Sequence, residues 1–446
     1  MGVFAVTKVS EGPVRPSAAT PSETLPLAWV DRYPTHRGLV ESVHVYLRRD
    51  DAAVEAVAPV ADDGGVVVEG KKKEKKPAAA VVRGALADAL VHYYPFAGRI
   101  VEDERSPGRP AVLCSGEGVY FVEAAANCTL ADVNHLERPL LLSKEDLVPC
   151  PTPEQWPVEP HNSLAMIQVT TFTCGGFVIG LRTNHAVADG TGAAQFMNAV
   201  GDLARGLPEP RVKPIWARDR FPDPDIKPGP LPELPVLPLQ YIAFDFPAAY
   251  LGKLKAQYAA TAGAGKICSA FDIVIAKLWQ CRTRAIAADP AAAVKLCFFA
   301  SARQVLGLET GYWGNAIFPV KVSAAAGEVA ASSVIELVGV VREAKRRMAG
   351  ECLSWAEGRT GGADPFQMTF DYESVYVSDW SKLGFNDVDY GYGAPSSAGP
   401  LVNCDLISSV IVMRAPAPLA GTRLLASCVT KDHADDFAAR MREDLV

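Results

Sequence analysis

The alternation of apolar and polar residues divides the first half of the chain into strands and helices. Residues 40–46 alternate with a period of two, which predicts a half-buried strand. Across residues 79–93 apolar side chains recur every three or four positions, as on a helix packed along one face. Residues 177–183 form an apolar strand, and residues 190–204 follow as a helix whose predicted N-cap is Thr191.

The second half of the chain mixes the same patterns, without a regular strand–helix–strand alternation and without a repeat of fixed period. The sequence therefore predicts an α+β fold, in which helices pack on mixed sheets. The individual patterns predict helices over 251–260, 269–287 and 333–348, and strands over 293–301, 406–413 and 423–429.

A proline-rich segment separates the two halves. Residues 206–238 contain ten prolines, and proline fixes φ and removes a backbone donor, so neither a helix nor a central strand is expected there. A domain usually has about 100–200 residues. The sequence therefore predicts an N-terminal domain over 1–205, a stiff crossover loop over 206–238 and a C-terminal domain over 239–446.

Composition and charge narrow the possible functions. The chain has 446 residues, 49% of them apolar, and a formal net charge of −7. An acidic chain argues against a nucleic-acid partner, which favours a basic face, so an anionic ligand must be met by a local group of Lys and Arg.

No apolar run reaches the ~18 residues of a membrane span, and residues 1–10 lack a signal peptide pattern. We expect a cytoplasmic protein without a membrane partner. Its ten scattered cysteines indicate buried thiols of a reducing compartment.

One segment carries candidate chemistry. His185 lies two residues after the apolar strand over 177–183, and Asp189 lies four residues further on. Imidazole has an unperturbed pKa of about 6.5, so this histidine is a candidate general base, with a metal ligand or a packed ring as alternatives. A metal is not expected, because no other histidine lies in a ligand pair and no His-Glu-x-x-His occurs. Nucleophile elbows and phosphate-binding loops are also absent from the sequence. Asp189 can orient the ring or anchor the turn, and the tight turn favours an anchor.

Short blocks along the chain reveal a resemblance. The His-x-x-x-Asp motif alone is a weak signal, but the blocks in this order are specific. Over nearly its whole length the chain resembles the plant BAHD acyltransferases, which transfer acyl groups from acyl-coenzyme A (acyl-CoA) thioesters to alcohols or amines. The blocks are Val14-Arg15-Pro16-Ser17, Tyr94-Pro95-Phe96-Ala97-Gly98-Arg99, Cys114-Ser115-Gly116-Glu117-Gly118-Val119, His185-x-x-x-Asp189-Gly190, Cys268-Ser269-Ala270-Phe271-Asp272, Gly311-Tyr312-Trp313-Gly314-Asn315-Ala316 and Asp389-Tyr390-Gly391-Tyr392-Gly393.

The resemblance implies a fold and a central site. Two domains similar to chloramphenicol acetyltransferase would be joined by the crossover loop, with a channel between them and His185 as the general base. Asp189 would pair with Arg303 and fix the turn. The last block departs from the usual Asp-Phe-Gly-Trp-Gly of the family but keeps its aromatic character, so Asp389, Gly391 and Gly393 are expected to be structural.

The resemblance also implies contacts with the reacting centre and with CoA. Ser378 and the indole of Trp380 match a Thr-Ser-Trp segment of the family and are candidate donors to the oxyanion, although Asp379 lies between them. Packing beneath the channel is an equally good interpretation of both. Lys266 and Ser269 lie at the family position for the CoA phosphates, and Arg303 is a further candidate there.

The implied activity is acyl transfer from an acyl-CoA co-substrate, with no bound cofactor. The chain most resembles the branch of benzyl alcohol benzoyltransferases and grass p-coumaroyl or feruloyl monolignol transferases, which suggests a benzoyl or hydroxycinnamoyl donor. The expected acceptor is an alcohol such as benzyl alcohol or a monolignol. An arylamine acceptor (tryptamine or tyramine) and a catalytically silent binding homologue remain alternatives. We expect a monomer.

Overall fold

The computed structural model describes residues 4–48, 76–102, 109–226, 236–263, 265–401, 407–416 and 419–445. Two six-stranded mixed sheets organise these residues, with helices packed on them. The described α-helices are α1 (Ala78–His92), α2 (Lys144–Leu147), α3 (Gly190–Ala204), α4 (Ala248–Ala262), α5 (Ala270–Ile286), α6 (Ala326–Ala331), α7 (Val334–Ala356) and α8 (Lys431–Arg442).

The first sheet has the strand order β1-β6-β7-β8-β3-β13, and its two inner strands β7 and β8 are almost completely buried. Helices α1 and α3 pack together and share the core of this sheet. A small sheet has the order β2-β5-β4, and its Ile100 and Val112 belong to the same core. The strands are β1 (Val6–Val14), β2 (Thr24–Pro26), β3 (Leu39–Tyr46), β4 (Arg99–Glu102), β5 (Pro110–Leu113), β6 (Val119–Ala126), β7 (Ala165–Thr171), β8 (Phe177–Asn184) and β13 (Ser397–Pro400).

The second sheet has the order β11-β10-β12-β14-β15-β9. Helix α5 packs in its core, buried along nearly its whole length, with α7 and α8 beside it. The core therefore sits between this sheet and three helices. The strands are β9 (Leu239–Pro247), β10 (Ala293–Ser301), β11 (Ile317–Ala325), β12 (Ser374–Asp379), β14 (Ser409–Arg414) and β15 (Gly421–Thr430).

The second half of the chain contributes one strand to the first sheet. β13 comes late in the chain, yet it pairs antiparallel with β3 and completes the first sheet. The α+β prediction is confirmed, and the chain has a two-domain fold. The linear boundaries at 205 and 239 stay a prediction.

The segment between the domains is packed rather than free. Its described parts, 206–226 and 236–238, contain one 3-10 turn (Arg218–Arg220) and neither an α-helix nor a strand. Ile215 forms a bridge with Tyr312, and the Trp216 indole donates to the Pro26 carbonyl at 3.3 Å. The crossover loop thus contacts residues from both halves of the chain.

Most predicted elements lie within a few residues of those observed. β10 has the predicted bounds, whereas α7 continues to Ala356 instead of ending at Met348. Its last turns are held by Cys352 and Trp355, which are buried, so Gly350 does not end the helix. The predicted strand over 406–413 begins at Ser409 and ends at Arg414, and residue 406 lies outside the described residues.

No helix within the described ranges combines the length and hydropathy that a membrane span needs. The nine cysteines of those ranges are unpaired thiols, seven of them buried. Cys404 lies outside the described residues.

Candidate active site

His185 lies on a tight turn between β8, which ends at Asn184, and α3, which begins at Gly190. The N-cap of α3 is Asp189: its backbone is extended and its Oδ1 accepts from the Gly192 amide at 2.9 Å. The prediction of Thr191 as N-cap was wrong, because the Asp189 carboxylate, two residues earlier, already satisfies an amide at the helix start.

Asn184 shapes the beginning of this turn from a fully buried position. Its Oδ1 accepts from the Ala186 amide at 3.0 Å, and its Nδ2 donates to the carbonyls of His161 and Ser163 at 2.8 and 3.2 Å. All polar atoms of the amide are therefore used, which fixes the direction in which the strand delivers His185.

Asp189 connects the turn to the second domain. Arg303 donates from Nη1 to Oδ2 and from Nη2 to Oδ1, both at 2.8 Å, and the Ala316 amide donates to Oδ2 at 3.1 Å. Burial alone would raise the pKa of Asp189, but the Arg303 guanidinium and the amides of Gly192 and Ala316 hold that pKa below its usual range. The carboxylate is ionised at neutral pH, as a turn anchor requires.

Arg303 also donates from Nη2 to the Gly314 carbonyl at 2.8 Å and from Nε to the Tyr312 carbonyl at 3.4 Å. Its predicted pairing with Asp189 is present in the structure. Its predicted contact with CoA stays a prediction, and the guanidinium would have to make that contact while committed to these internal partners.

Two further side chains hold backbone carbonyls of the turn. Asn315 Nδ2 donates to the His185 carbonyl, and Arg218 Nη2 donates to the Val187 carbonyl, both at 2.6 Å. Asp31 connects the two donors, since it accepts from Arg218 Nε and from Asn315 Nδ2, each at 2.8 Å. The side chains of Arg218 and Asp31 are fully buried. Three separate parts of the chain thus fix the backbone that carries His185.

Sequence reasoning assigned no role to this group. Arg218 lies in the crossover loop. The sequence signal for its burial was its position two residues after Trp216. The other charged residues described in this loop are exposed. Its guanidinium lies 4.1 Å from the Trp216 ring, 4.9 Å from that of Trp313 and 5.0 Å from that of Tyr312. Such stacking is typical of a buried arginine.

The imidazole of His185 is half-buried and stacks on the ring of His36, with centroids 4.7 Å apart and planes 13° from parallel. The His185 backbone amide donates to the Gly38 carbonyl at 2.9 Å. Its Nδ1 is buried without a hydrogen-bond partner among the described residues. Nε2 is therefore the nitrogen available to a substrate. A cavity of about 450 Å³ opens beside the adjoining Ala186, within the size range of small-molecule sites.

Ser378 and Trp380 lie at the end of β12. Ser378 is exposed, whereas Trp380 is buried and stacks on Phe385 with centroids 5.4 Å apart. Among the described residues, the hydrogen bonds and ring contacts of His185 include neither side chain. The structure is compatible with the packing interpretation of Trp380, and the oxyanion role of both residues stays a prediction.

Lys266 and Ser269 lie just before α5. Lys266 is exposed, and Ser269 is the N-cap of α5, where it forms a reciprocal capping box with Asp272. The Asp272 carboxylate already occupies the helix start and pairs with Lys345 at 2.8 Å and Arg342 at 3.3 Å. The contact of Lys266 and Ser269 with the CoA phosphates stays a prediction.

The Asp389 block forms a tight loop. Asp389 Oδ1 accepts from the amides of Gly391 and Gly393 at 2.8 and 2.7 Å. Both glycines have φ near +90°, a conformation that other residues rarely adopt. The Tyr390 ring packs 5.6 Å from that of Tyr46 in the first core, so a tyrosine is accommodated where the family usually has phenylalanine.

Within the described residues, no group of three His, Cys, Asp or Glu side chains could hold a metal ion. The chemistry that these residues offer is proton transfer at Nε2 of an imidazole on a firmly held turn.

Comparison with known proteins identifies the class. The family described as "Transferase family" matches residues 68–423. Acyl transferase 10 of Oryza sativa subsp. japonica is 97% identical over 446 residues, with 100% of both chains covered. The myricetin 3-O-glucosyl 1,2-rhamnoside 6'-O-caffeoyltransferase AT1 of Crocosmia x crocosmiiflora is 36% identical over 99% of each chain. The chain is thus an acyl-CoA-dependent acyltransferase. It belongs to this Transferase family, the plant BAHD acyltransferases.

Solved structures share the fold. Vinorine synthase has a TM-score of 0.69 and 19% identity, covering 97% of this chain and 96% of its own. Fusarium graminearum TRI101 complexed with coenzyme A and T-2 mycotoxin has a TM-score of 0.70 and 16% identity, covering 94% and 97%. This chain therefore shares its fold with proteins of very different sequence.

Proposed function

We propose that this chain transfers an aromatic acyl group, benzoyl or hydroxycinnamoyl, from its CoA thioester to an alcohol, with His185 as the general base in a ternary complex. The observation that carries this proposal is the His185 turn, whose carbonyls and carboxylate are held by Asn315, Arg218 and Arg303 while Nε2 stays available. A related protein named as a 6'-O-caffeoyltransferase supports both a hydroxycinnamoyl donor and an oxygen acceptor.

In the proposed reaction Nε2 of His185 takes the proton of the acceptor hydroxyl as the oxygen attacks the thioester carbon. The C–O bond forms, the C–S bond breaks, and the imidazolium returns the proton to the departing sulfur to give free CoA thiol. General-base help of this kind is worth about 10²–10⁴ in rate. Holding both substrates in near-attack geometry contributes up to ~7–11 kcal/mol.

The remaining residues have supporting roles in the proposal. Ser378 and the Trp380 indole are candidate donors to the tetrahedral oxyanion, which is stabilised by preorganised N–H or O–H groups. In the proposal Lys266 and Ser269 bind the CoA phosphates through charge-assisted hydrogen bonds, which are stronger than neutral ones. Residues 1–205 and 239–446 act as the two units around the channel, and the chain works as a monomer.

The test is a matrix of donors and acceptors with release of free thiol as the readout and product mass as the proof of transfer. Donors are benzoyl-, p-coumaroyl-, feruloyl- and caffeoyl-CoA, with acetyl-CoA as the non-aromatic control. Acceptors are benzyl alcohol, a monolignol, a glycosylated flavonol, tryptamine and tyramine. We expect an ester from an aromatic donor and an alcohol.

Each of the other possible results contradicts one part of the proposal: the donor, the acceptor atom or the activity itself. Preference for acetyl-CoA contradicts the aromatic donor, and amide products alone contradict oxygen transfer. Folded protein that releases no thiol with any pair would identify a catalytically silent homologue.

A further inference from the structure

His36 is placed against the base although it lies far from it in the sequence. It ends the 3-10 turn Pro34–His36 just before β3, and it is buried with 7% of its surface exposed. Its ring is stacked nearly parallel on that of His185, 4.7 Å between centroids. Of the described aromatic side chains, it is the one that forms a ring contact with the His185 imidazole.

The His36 ring is itself fixed. Its Nδ1 lies 2.7 Å from the Val30 carbonyl, and because a carbonyl only accepts, Nδ1 carries the proton. The adjacent Tyr33 ring packs 6.0 Å from it. Burial, with a further contribution from His185, lowers the pKa of His36 to about 3, so the ring is neutral wherever the protein is folded at ordinary pH.

The His185 ring lacks the usual means of orientation. A catalytic histidine is generally held by a hydrogen bond from its second nitrogen to a carboxylate or carbonyl. Here Nδ1 of His185 is buried with no such partner among the described residues, and the nearby Asp189 is occupied by Arg303 and by backbone amides. The turn fixes the backbone, but rotation of the imidazole about its side-chain bonds needs another restraint.

We propose that His36 is the positioning residue of the base: its fixed, neutral ring stacks on the imidazole and holds the plane in which Nε2 of His185 meets the acceptor hydroxyl. This inference rests on the proposed role of His185. It assigns to a face-to-face ring contact the task that a hydrogen bond on Nδ1 performs in other catalytic histidines.

Removing the His36 ring should therefore lower turnover rather than substrate binding. A displacement of about 1 Å at a reacting group can cost 10²-fold in rate, whereas binding of the acyl-CoA does not depend on the imidazole plane. In His36→Ala we expect kcat to fall by about 10- to 100-fold, with KM for donor and acceptor within about twofold of wild type. His36→Phe keeps a flat ring without the Val30 hydrogen bond, and it should restore most of the lost kcat.

The decisive measurement is a double-mutant cycle with His185→Ala, using thiol release with the best donor and acceptor pair. If His36 acts through His185, adding His36→Ala to His185→Ala lowers the residual rate no further. Equal loss in both backgrounds, or a His36→Phe protein as slow as His36→Ala, would overturn the inference. His44→Ala is the matched control, since His44 is also fully buried but packs on Phe385, 4.9 Å away; its kcat should stay near wild type.

Folding and function are separated in the same series. Thermal unfolding is measured for each variant, and if His36→Ala does not fold, His36→Gln takes its place, because it removes the ring and keeps an N–H for the Val30 carbonyl. Near-normal turnover of His185→Ala would overturn the proposed base and this inference together. Loss of activity in His185→Ala but not in folded His36→Ala or His36→Gln overturns this inference alone.

Discussion

Arg303 holds both carboxylate oxygens of Asp189 at 2.8 Å across 114 residues of sequence. Amides of Gly192 and Ala316 occupy the same two oxygens. Both oxygens of the carboxylate therefore accept hydrogen bonds from the start of α3 and from the second domain, and the carboxylate does not orient the imidazole of His185. In this His-x-x-x-Asp turn the aspartate anchors the backbone, which leaves the proposed proton transfer to the histidine alone.

Replacing Asp189 by Asn should act mainly on stability. The change leaves Arg303 partly buried without its counter-charge, and breaking such a pair costs about 3–5 kcal/mol in the free energy of unfolding. Denaturant unfolding measures the loss, and activity should decline in proportion to folded protein. Glu343→Gln, which breaks an exposed pair with Arg346, is the control and should hardly change Tm. An unchanged Tm with lost turnover in Asp189→Asn would instead indicate a direct catalytic role.

His185→Ala should lower kcat at least ~10²-fold, because a general base contributes about 10²–10⁴. Steady-state thiol release measures this loss, and Tm should remain close to wild type because the side chain is half-buried and its Nδ1 makes no hydrogen bond to a described residue. His92→Ala, at the carboxyl end of α1, is the matched control. A variant that turns over at the normal rate is incompatible with His185 as base.

The Arg218–Asp31 pair predicts strong coupling between the crossover loop and the turn that carries His185. Arg218→Met leaves a fully buried Asp31 carboxylate without its cation, which costs about 3–5 kcal/mol, and it removes the donor to the Val187 carbonyl. The double variant Asp31→Asn with Arg218→Met removes both charges. We expect it to be less destabilised than the sum of the single changes in denaturant unfolding. Additive losses would show that the two side chains act independently.

Local patterns in the sequence were sufficient for the elements that carry the site. The apolar run over 177–183 predicted β8 and the helical segment over 190–204 predicted α3, because both depend on neighbours in sequence. The pairing of Asp189 with Arg303 came only from the resemblance to a family. Nothing in the sequence around Asp189 or around Arg303 indicates that these two side chains pair.

The side chains that hold the turn could not be predicted, for a physical reason. Asp31, Arg218 and Asn315 lie far apart in the sequence, and their role arises when three distant segments meet in a buried network. His36 is similar: it looked like an isolated histidine, and its stacking on His185 follows from the path of the chain before β3. Burial of polar groups is decided by tertiary contacts, which periodicity does not report.

Two buried histidines predict that stability falls in mild acid. Burial lowers the pKa of both His36 and His44 to about 3, whereas the unfolded value is about 6.5. The unfolded state therefore binds these protons first, so stability is complete above about pH 6.5 and declines as the pH falls toward 3. Each histidine should lower the free energy of unfolding by about 1 kcal/mol as the pH falls from 7 to 5.5. Denaturant unfolding at the two pH values measures the summed contribution of His36 and His44.

His44→Gln should remove about half of that pH dependence, since Gln does not titrate and His36 is unchanged. The comparison uses the difference between pH 7 and 5.5 within each protein, so a constant loss of stability from the substitution cancels. An equal difference in wild type and His44→Gln would show that His44 is not the titrating group.

The close contact between the start of α3 and the second domain predicts that Gly192 tolerates no side chain. A Cβ at Gly192 would lie 1.9 Å from the Trp313 carbonyl oxygen and 2.8 Å from its carbon, and backbone atoms cannot yield as a flexible side chain does. Gly192→Ala must therefore move α3 away from residues 313–316, and with it the turn that carries His185. We expect a lower Tm and a clear loss of kcat. Gly252→Ala in α4 meets no atom within 4 Å, so it should be neutral or more stable by up to ~1 kcal/mol, as alanine is in a helix. A Gly192→Ala protein with the Tm and kcat of Gly252→Ala would contradict the close packing of the two domains at the turn that carries His185.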